Sequence, residues 1–399
     1  MSNALPSVME QLSGLLGNRL DAIIEQTGVL VEIDSGSHDP DGVNAVTSVI
    51  GEALNPLGFI SRHREIGPDR GRLFTSSLRL GSGPKVLVLG HADTVWPRGT
   101  AAQWPFANDG TRLSGPGVGD MKCALSMAVE AIAAAITITP QYMGEITYAL
   151  VPDEELGSVG SRAMIEELGR AADLCLTLEA GAEGGGTITS RGAVGAMVVR
   201  FIGRTSHSTD PSGISALSAA ARLVTAVEAL TDRDAGRICT VGILNAGTAR
   251  QVVPDHAELH IDLRAPDTQT GWQLAQQIRD LACTVSRGRP EVEVLGGITR
   301  PAMAAERSAP VFAMAVELAQ TAGWTPFGVA EAGGSDGSFV ASQGTLVLDG
   351  LGPVAFDECS RRETVEIASI VPRTALLAGL ITQAGVITEK EPTRTPFRS

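Results

Sequence analysis

Short apolar runs alternate with helix-patterned stretches in the first part of the chain, and this alternation constrains the fold more than any other feature. The run at 85–89 (KVLVL) has the length and composition of a buried strand. Comparable runs at 146–151 and 174–178 follow helix-patterned segments at 121–136 and 158–168. This order predicts an α/β fold whose mainly parallel sheet is covered by helices on both faces.

The order of elements changes between residues 194 and 300. The pattern there predicts a strand, a helix, two strands, a helix and a strand, at 194–202, 214–230, 240–244, 257–263, 272–282 and 292–295. This β-α-β-β-α-β order is typical of the ferredoxin-like arrangement. We therefore predict an inserted ferredoxin-like α+β domain at 194–300. The flanking segments, 1–193 and 301–399, would together form the other domain.

The composition argues against several classes of partner. Apolar residues make up 43% of the 399 residues, which is enough for a sizeable core. The chain has 31 Lys and Arg against 45 Asp and Glu, a net charge of −14, so nucleic acid and anionic membrane surfaces are poor partners. Five cysteines without paired spacing predict a reducing compartment. With no evident signal peptide and no apolar run of about 18 residues, we expect a cytoplasmic protein that does not span a membrane.

Acidic residues and a histidine follow the predicted strands. His91 and Asp93 come directly after the first strand, where residues two apart point the same way, so Asp93 can accept a hydrogen bond from His91. Because the carboxyl ends of parallel strands open onto one crevice, residues at these ends are expected to meet. The candidates are His91, Asp120, Glu154, Glu155 and Glu179. Imidazole and carboxylate ligands suit Zn²⁺, Mn²⁺ or Co²⁺, and a spare carboxylate can act as a general base.

Each candidate also has a structural explanation. A histidine after a strand is commonly a core residue, Asp120 can be a helix N-cap, and the acidic residues at 153–155 can lie on a solvated loop. The segment before Asp120 (GPGVGD) is not a dinucleotide-binding loop, because it lacks the G-x-G-x-x-G spacing, contains proline and has no strand directly before it. The joint placement of the candidates at strand ends favours the metal site.

Six motifs, in this order and over nearly the whole chain, resemble the zinc carboxypeptidase/aminoacylase family: HADT, GPGVGDMK, DEELGS, LEAG, GRTSHS and GGSDGSF. The resemblance implies two zinc ions, one held by His91 and Glu179 and the other by Glu155. Asp120 would bridge the two ions, and the peptide bond after it would be cis.

The inserted domain carries three further candidates. By the same resemblance, His207 (in GRTSHS) reaches the site of a partner subunit and stabilises the oxyanion, which implies a homodimer. Arg300 (in ITRPAM) resembles the arginine that holds the substrate α-carboxylate, a group that a guanidinium matches well. Gln251 (in ARQVVP) stands where relatives carry an asparagine near the substrate. A plain surface position is the alternative for His207 and Arg300, and a residue without a substrate role is the alternative for Gln251.

One feature of the family is missing. Its last zinc ligand is a histidine that follows a Gly-Leu-Gly segment near the C-terminus, whereas the last histidine of this chain is His260. Aligned without gaps, the ligand position is Cys359, and thiolate is a good zinc ligand. Asp357 and Glu358 are the other candidates. The alternative is an inert Cys359 with a one-metal or inactive site.

The resemblance implies hydrolysis of an amide bond between an acyl group and a C-terminal amino acid, with glutamate or aspartate conjugates as the leading substrates. Glu154 would be the general base, and Asp93 would orient His91. The alternatives are an N-acetyl-amino-acid deacetylase and a catalytically inactive binding protein on the same fold. The sequence GGSDG at 333–337 matches a serine-hydrolase nucleophile elbow, but no histidine follows Ser335 to complete a triad.

Overall fold

The structure is a computed structural model that describes residues 5–139 and 144–389. The α-helices are α1 (Leu5–Gly17), α2 (Leu20–Val31), α3 (Pro40–Leu54), α4 (Thr100–Gln103), α5 (Cys123–Ile138), α6 (Arg162–Ala171), α7 (Ala216–Glu228), α8 (Thr268–Ser286), α9 (Ala305–Thr321), α10 (Gly337–Ser342), α11 (Ile367–Thr382) and α12 (Ala384–Glu389). The strands are β1 (Ile60–Arg64), β2 (Leu73–Arg79), β3 (Lys85–His91), β4 (Ala107–Asn108), β5 (Arg112–Ser114), β6 (Glu145–Val151), β7 (Leu174–Thr177), β8 (Thr187–Arg191), β9 (Ala193–Ile202), β10 (Ser206–His207), β11 (Ile238–Ala246), β12 (Val252–Val253), β13 (His256–Ala265), β14 (Glu291–Arg300), β15 (Gly328–Glu331), β16 (Leu346–Leu348), β17 (Ala355–Phe356) and β18 (Thr364–Glu366).

The chain divides into two compact units. Unit 2 comprises Arg191–Met303 and the short piece Glu331–Gly334, and the rest of the described chain forms unit 1. The inserted domain predicted at 194–300 falls within the longer piece of unit 2. The sequence pattern gives no sign of the short second piece.

Unit 1 is built on a six-stranded mixed sheet with the order β1-β2-β6-β3-β7-β16. The four strands from β6 to β16 run parallel, and β2 and β1 add an antiparallel edge. The register of β3 on β6 runs from Lys85↔Glu145 to His91↔Val151, so the carboxyl ends of these two strands lie side by side. The predicted α/β class with a mainly parallel sheet is confirmed, and the antiparallel edge is an addition to it.

The central strand β3 is buried on both faces. Val86 and Val88 belong to the large core cluster that also takes in α1, α5 and α11, whereas Leu87 and Leu89 are buried outside that cluster. An unbroken apolar run suits a strand with helices on both sides, because no position in it faces water. The sequence KVLVL therefore forms the middle of the sheet and delivers His91 at its end.

Helix α5 lies in the middle of the unit 1 core, packed against α11, α2 and α1. Within the described residues, one helical segment, Val118–Ile138, is long and apolar enough to cross a bilayer by length and composition. Its most apolar window is 72% buried inside the protein, as is expected of a core helix. The apolar surface of this segment is therefore used for packing within unit 1.

Unit 2 has an antiparallel four-stranded sheet with the order β11-β13-β9-β14, on which α7 and α8 pack. Along the chain these elements run β9-α7-β11-β13-α8-β14, which is the β-α-β-β-α-β order that the sequence predicts. Burial alternates along β9, where Met197, Val199 and Phe201 point into the core. This period of two is typical of a sheet with one face covered by helices.

Candidate metal centre

The residues predicted to bind metal gather in unit 1 at the carboxyl ends of its parallel strands. His91 is the last residue of β3, Glu155 lies in the turn after β6, and Glu179 follows β7. Asp120 lies in the helical turn Val118–Lys122 that leads into α5, and its peptide bond to Met121 is cis. The parallel register brings these chain segments to one edge of the sheet, as open α/β sheets do with their binding sites.

Two groups of ligand atoms form around Asp120. One consists of His91, Asp120 and Glu179, and the other of Asp120, Glu155 and Cys359; within each group the ligand atoms lie within 4.8 Å of one another. His91 Nε2 is 2.9 Å from Asp120 Oδ1, and Cys359 Sγ is 3.5 Å from Asp120 Oδ2. The two oxygens of Asp120 thus face different partners, so its carboxylate could contribute a ligand atom to each group.

The electrostatics of the cluster fit bound cations. Burial is the main cause that raises the pKa of Glu155, to about 8, and the charge of Asp120 is the next. The same two causes raise the pKa of Glu179 well above its usual value. In addition, the charge of Glu154 raises both pKa values. Carboxylates held this close are unfavourable together unless positive charge lies between them.

The surroundings of His91 and Glu155 also favour positive charge in this cluster. Although burial disfavours the charged imidazole, hydrogen bonds with Asp120 and Asp93 raise the pKa of His91 well above its usual value. Within the described part of the chain, Glu155 Oε1 is buried and has no hydrogen-bond partner. A buried carboxylate oxygen without a donor is costly, and a metal ion would satisfy it. The donor set of one imidazole, three carboxylates and one thiolate fits two transition-metal ions such as zinc.

Asp93 contacts both His91 and the turn after β6. Its backbone oxygen is 2.9 Å from His91 Nδ1, and its Oδ1 is 3.5 Å from the same nitrogen. Its carboxylate also accepts hydrogen bonds from the backbone amides of Glu154 (3.1 Å) and Glu155 (3.2 Å), and from Ser37 Oγ (2.6 Å). Asp93 therefore fixes the orientation of His91 and the position of the Glu154–Glu155 turn, and the second function was not evident from sequence.

The three adjacent acidic residues at 153–155 separate into two kinds. Asp153 is buried and accepts hydrogen bonds from Gly160 N (2.8 Å) and Ser161 Oγ, so it stabilises the loop before α6. Glu154 and Glu155 follow in a short 3₁₀ turn that ends at Gly157, which has a φ of 86°. Of these three residues, Glu155 belongs to a ligand group, and Glu154 lies close enough to raise the pKa of Glu155 and Glu179.

Cys359 lies between β17 and β18, in a loop where it has a φ of 57°. Burial and the charges of Asp120 and Glu155 raise the pKa of its thiol, so the thiolate needs a cation nearby to form. Of the other candidates in this loop, Asp357 lies 3.3 Å from Arg362. Neither Asp357 nor Glu358 belongs to either of the two ligand groups.

The remaining predicted residues belong to unit 2. His207 lies on β10 and Gln251 directly precedes β12, and these two strands pair, with a 2.9 Å hydrogen bond from Ser208 N to Gln251 O. Arg300 ends β14 and is only 7% exposed, so it is not a plain surface charge. His207 and Gln251 are exposed.

A cavity of about 610 Å³ lies beside Glu155 in unit 1. Its wall includes the apolar side chains of Val95, Trp96 and Leu156, together with Arg98. A space of this size is in the range that small-molecule sites occupy.

The sequence and fold match known proteins. A sequence profile of peptidase family M20/M25/M40 matches residues 87–383. Carboxypeptidase G2 of Pseudomonas sp. (strain RS-16) is 28% identical over 372 residues, covering 91% of this chain and 89% of that protein. Succinyl-diaminopimelate desuccinylase of Gluconobacter oxydans (strain 621H) is 27% identical over 350 residues, covering 82% of this chain and 89% of that protein.

Among solved structures, the YXEP protein of Bacillus subtilis, described as a dinuclear metal-binding peptidase, has a TM-score of 0.70 and 14% identity. The match covers 94% of this chain and 99% of that one. The fold, the ligand cluster and these matches define a metal-dependent hydrolase of amide or peptide bonds. The chain belongs to peptidase family M20/M25/M40, which confirms the resemblance that its motifs suggested.

Proposed function

We propose that this chain is a dinuclear zinc enzyme that hydrolyses the amide bond between an acyl group and a C-terminal glutamate or aspartate. The observation that carries the proposal is the pair of ligand groups that share Asp120, with Glu154 beside them. His91 and Glu179 would hold one ion, and Glu155 and Cys359 would hold the other. Asp120 would bind both ions. When bound, the ions would polarise the scissile carbonyl and make the attacking water a stronger acid.

Glu154 is the proposed general base. Its backbone is fixed by the hydrogen bond to Asp93, and its side chain lies close enough to Glu155 and Glu179 to raise their pKa values. Its carboxylate would accept a proton from the attacking water and pass it to the leaving amine. The ligand groups contain the neighbouring Glu155 but not Glu154, which leaves Glu154 for proton transfer.

His207 is proposed to donate a hydrogen bond to the oxyanion, in the site of a partner subunit. Its Nδ1 lies 2.8 Å from Thr209 Oγ1 and accepts a longer hydrogen bond, 3.4 Å, from Thr209 N. A ring nitrogen that accepts leaves the proton on the other nitrogen. His207 Nε2 would therefore carry the hydrogen that the oxyanion needs.

Arg300 is proposed to bind the α-carboxylate of the substrate, and Gln251 to lie near the substrate. Arginine binds carboxylates through two parallel hydrogen bonds, so removing its side chain should affect acid substrates most. In Arg300→Ala we expect kcat/KM for an N-acyl-glutamate to fall about 10-fold to 150-fold, which corresponds to about 1.5–3 kcal/mol. The value for the matching glutamate α-amide should change little.

The substrate class is tested with a panel of N-acyl glutamates, aspartates and neutral amino acids, measured on the parent, on Arg300→Ala and on a control variant. Arg264→Ala is a suitable control, because Arg264 also lies in unit 2 and pairs with Asp262 on the surface. Equal losses on the acid and its amide would show that Arg300 does not bind the carboxylate. A preference for neutral amino acids would contradict the glutamate and aspartate assignment.

The second candidate is removal of a small acyl group from an amino acid, as by an N-acetyl-amino-acid deacetylase. The similarity to succinyl-diaminopimelate desuccinylase favours it, because that protein's name describes removal of an acyl group. A series of substrates that carry different acyl groups on the same amino acid, glutamate, distinguishes the two candidate functions. Activity restricted to acetyl and other short acyl groups would favour the deacylase.

We also propose a homodimer formed through unit 2. Strand β11 is an edge of its sheet, and Ile243 (49%) and Leu244 (39%) on it are exposed. Exposed apolar residues on a sheet edge favour pairing with another chain. Sedimentation equilibrium would show twice the chain mass of 41.4 kDa, and a monomer at working concentrations would overturn the proposal.

A further inference from the structure

Glu363 is a fully buried carboxylate in unit 1 to which the sequence gives no function. Its Oε1 accepts hydrogen bonds from the backbone amides of Gly119 (2.7 Å) and Asp120 (3.0 Å). Both amides belong to the turn that presents the Asp120 carboxylate to the two ligand groups. One oxygen atom thus holds the backbone on which the shared ligand depends.

Glu363 also belongs to the loop that carries Cys359. It directly precedes β18, and its backbone amide donates to Ser360 O at 3.0 Å. The side chain therefore connects the Cys359 loop to the Asp120 turn, two segments far apart in sequence.

The packing around this contact leaves little room for adjustment. A Cβ added at Gly119 would lie 2.8 Å from the Cβ of Ala355 and 3.4 Å from Glu363 Oε1. Glycine is therefore required at 119 for the turn to approach both the carboxylate and β17.

We propose that Glu363 is a positioning residue that holds the Asp120 turn and the Cys359 loop in the arrangement needed to bind the metal shared by Asp120, Glu155 and Cys359. The inference rests on the proposed metal-binding function. The effect comes from hydrogen-bond acceptance, since the two amides need an acceptor oxygen and not a charge. Glutamine offers such an oxygen at the same place, whereas alanine removes the acceptor that both N–H groups use.

The test compares Glu363→Ala, Glu363→Gln and the parent as full-length, zinc-loaded proteins. Zinc content is measured by elemental analysis during titration with a chelator, and kcat and KM are measured separately. In Glu363→Ala we expect one of the two ions to be released at about 10-fold to 100-fold lower chelator concentration, the usual range for groups that support metal ligands. We expect kcat to fall and KM to change little. Glu363→Gln should bind both ions nearly as tightly as the parent.

Two further variants sharpen the result. Glu366→Ala removes a glutamate from the same strand, β18, and should release zinc like the parent. Gly119→Ala disturbs the contact from the opposite side and should release one ion early, as Glu363→Ala does.

The proposal would be overturned if Glu363→Ala held both ions as firmly as the parent. It would also be overturned if a folded Glu363→Gln lost one ion as Glu363→Ala does, or if Gly119→Ala released zinc at the same chelator concentration as the parent. If Glu363→Ala does not fold, Glu363→Gln and Gly119→Ala still decide the question. A parent that binds no zinc would instead contradict the proposed function itself.

Discussion

At the scale of single residues, the carboxylates near the candidate metal centre differ because their partners differ. Asp153 accepts hydrogen bonds from a neighbouring loop, and Asp93 accepts them from the backbone amides of Glu154 and Glu155. Asp120 instead directs its two oxygens towards His91 and Cys359. A carboxylate that accepts hydrogen bonds from several donors is already satisfied, whereas Asp120 also lies close enough to Glu155 and Glu179 to raise their pKa values, and such a cluster favours a cation. The hydrogen-bond partners of a carboxylate, more than its residue type, therefore separate the supporting residues from the proposed metal ligands.

Glu154→Gln should retain metal and fold but lose most turnover. The amide side chain has nearly the same shape, but it cannot accept the proton from the attacking water. We expect kcat to fall about 10²-fold to 10⁴-fold, the usual contribution of general acid–base catalysis. Glu167→Gln is the matched control, because Glu167 is an exposed glutamate of α6 that pairs with Arg64. Zinc content and steady-state kinetics check the prediction, and near-parental turnover would remove Glu154 from the mechanism.

Cys359→Ala should bind fewer than two zinc ions per chain, because the second ligand group would keep only Asp120 and Glu155. Cys359→His should keep both ions, since imidazole is an equally good zinc ligand. The control is Cys283→Ala, which removes another exposed cysteine, one in unit 2. Elemental analysis after gel filtration gives the zinc content. If Cys359→Ala holds two ions and hydrolyses at the parental rate, the ligand lies elsewhere, with Asp357 and Glu358 the next to replace.

At the scale of elements, strongly patterned segments could be predicted from the sequence and weakly patterned ones could not. The helix expected at 121–136 is α5 (Cys123–Ile138), and the strand expected at 194–202 is β9 (Ala193–Ile202). The edge strand β1 (Ile60–Arg64) has the sequence ISRHR and is mostly exposed, so no hydrophobic period marks it. Edge strands of this kind form because a neighbouring strand provides their hydrogen bonds.

The candidate site shows the same division. His91, Glu155 and Glu179 could be predicted because they follow recognisable strands, and the chain direction alone places them at one edge of the sheet. Glu363 and Ser37 could not, because their partners are distant in sequence and no local pattern connects them. Predicting which distant segments touch requires the packed structure itself.

At the scale of the whole molecule, part of the excess negative charge lies where the metal ions are proposed to bind. The chain has a net charge of −14, and within unit 1 the carboxylates of Asp120, Glu155 and Glu179 lie in one cluster. Bound divalent ions would offset this repulsion and stabilise the folded state by mass action. The described core of unit 2 is formed by apolar side chains packed between its sheet and helices, so its stability should not depend on metal.

Removing the metal should therefore destabilise unit 1 in a pH-dependent way. In the metal-free protein the pKa of Glu155 lies at about 8, against an ordinary value of 4.5, and the pKa of Glu179 is also raised. A carboxyl group whose pKa is raised by folding binds protons more tightly when folded. The bound proton therefore stabilises the folded state fully at pH values below the ordinary pKa of the group, and this stabilisation is lost as the pH rises towards the raised pKa.

We thus expect the unfolding temperature of the chelated protein to fall between about pH 5 and pH 8, and that of the zinc-loaded protein to change much less, because the ions hold these carboxylates in their charged form. Calorimetry with and without chelator at several pH values measures both curves. A transition assigned to unit 2 should keep its midpoint on chelation, and that transition is the internal control. If the chelated and zinc-loaded proteins unfold at the same temperature at pH 8, the carboxylate cluster does not bind metal in solution.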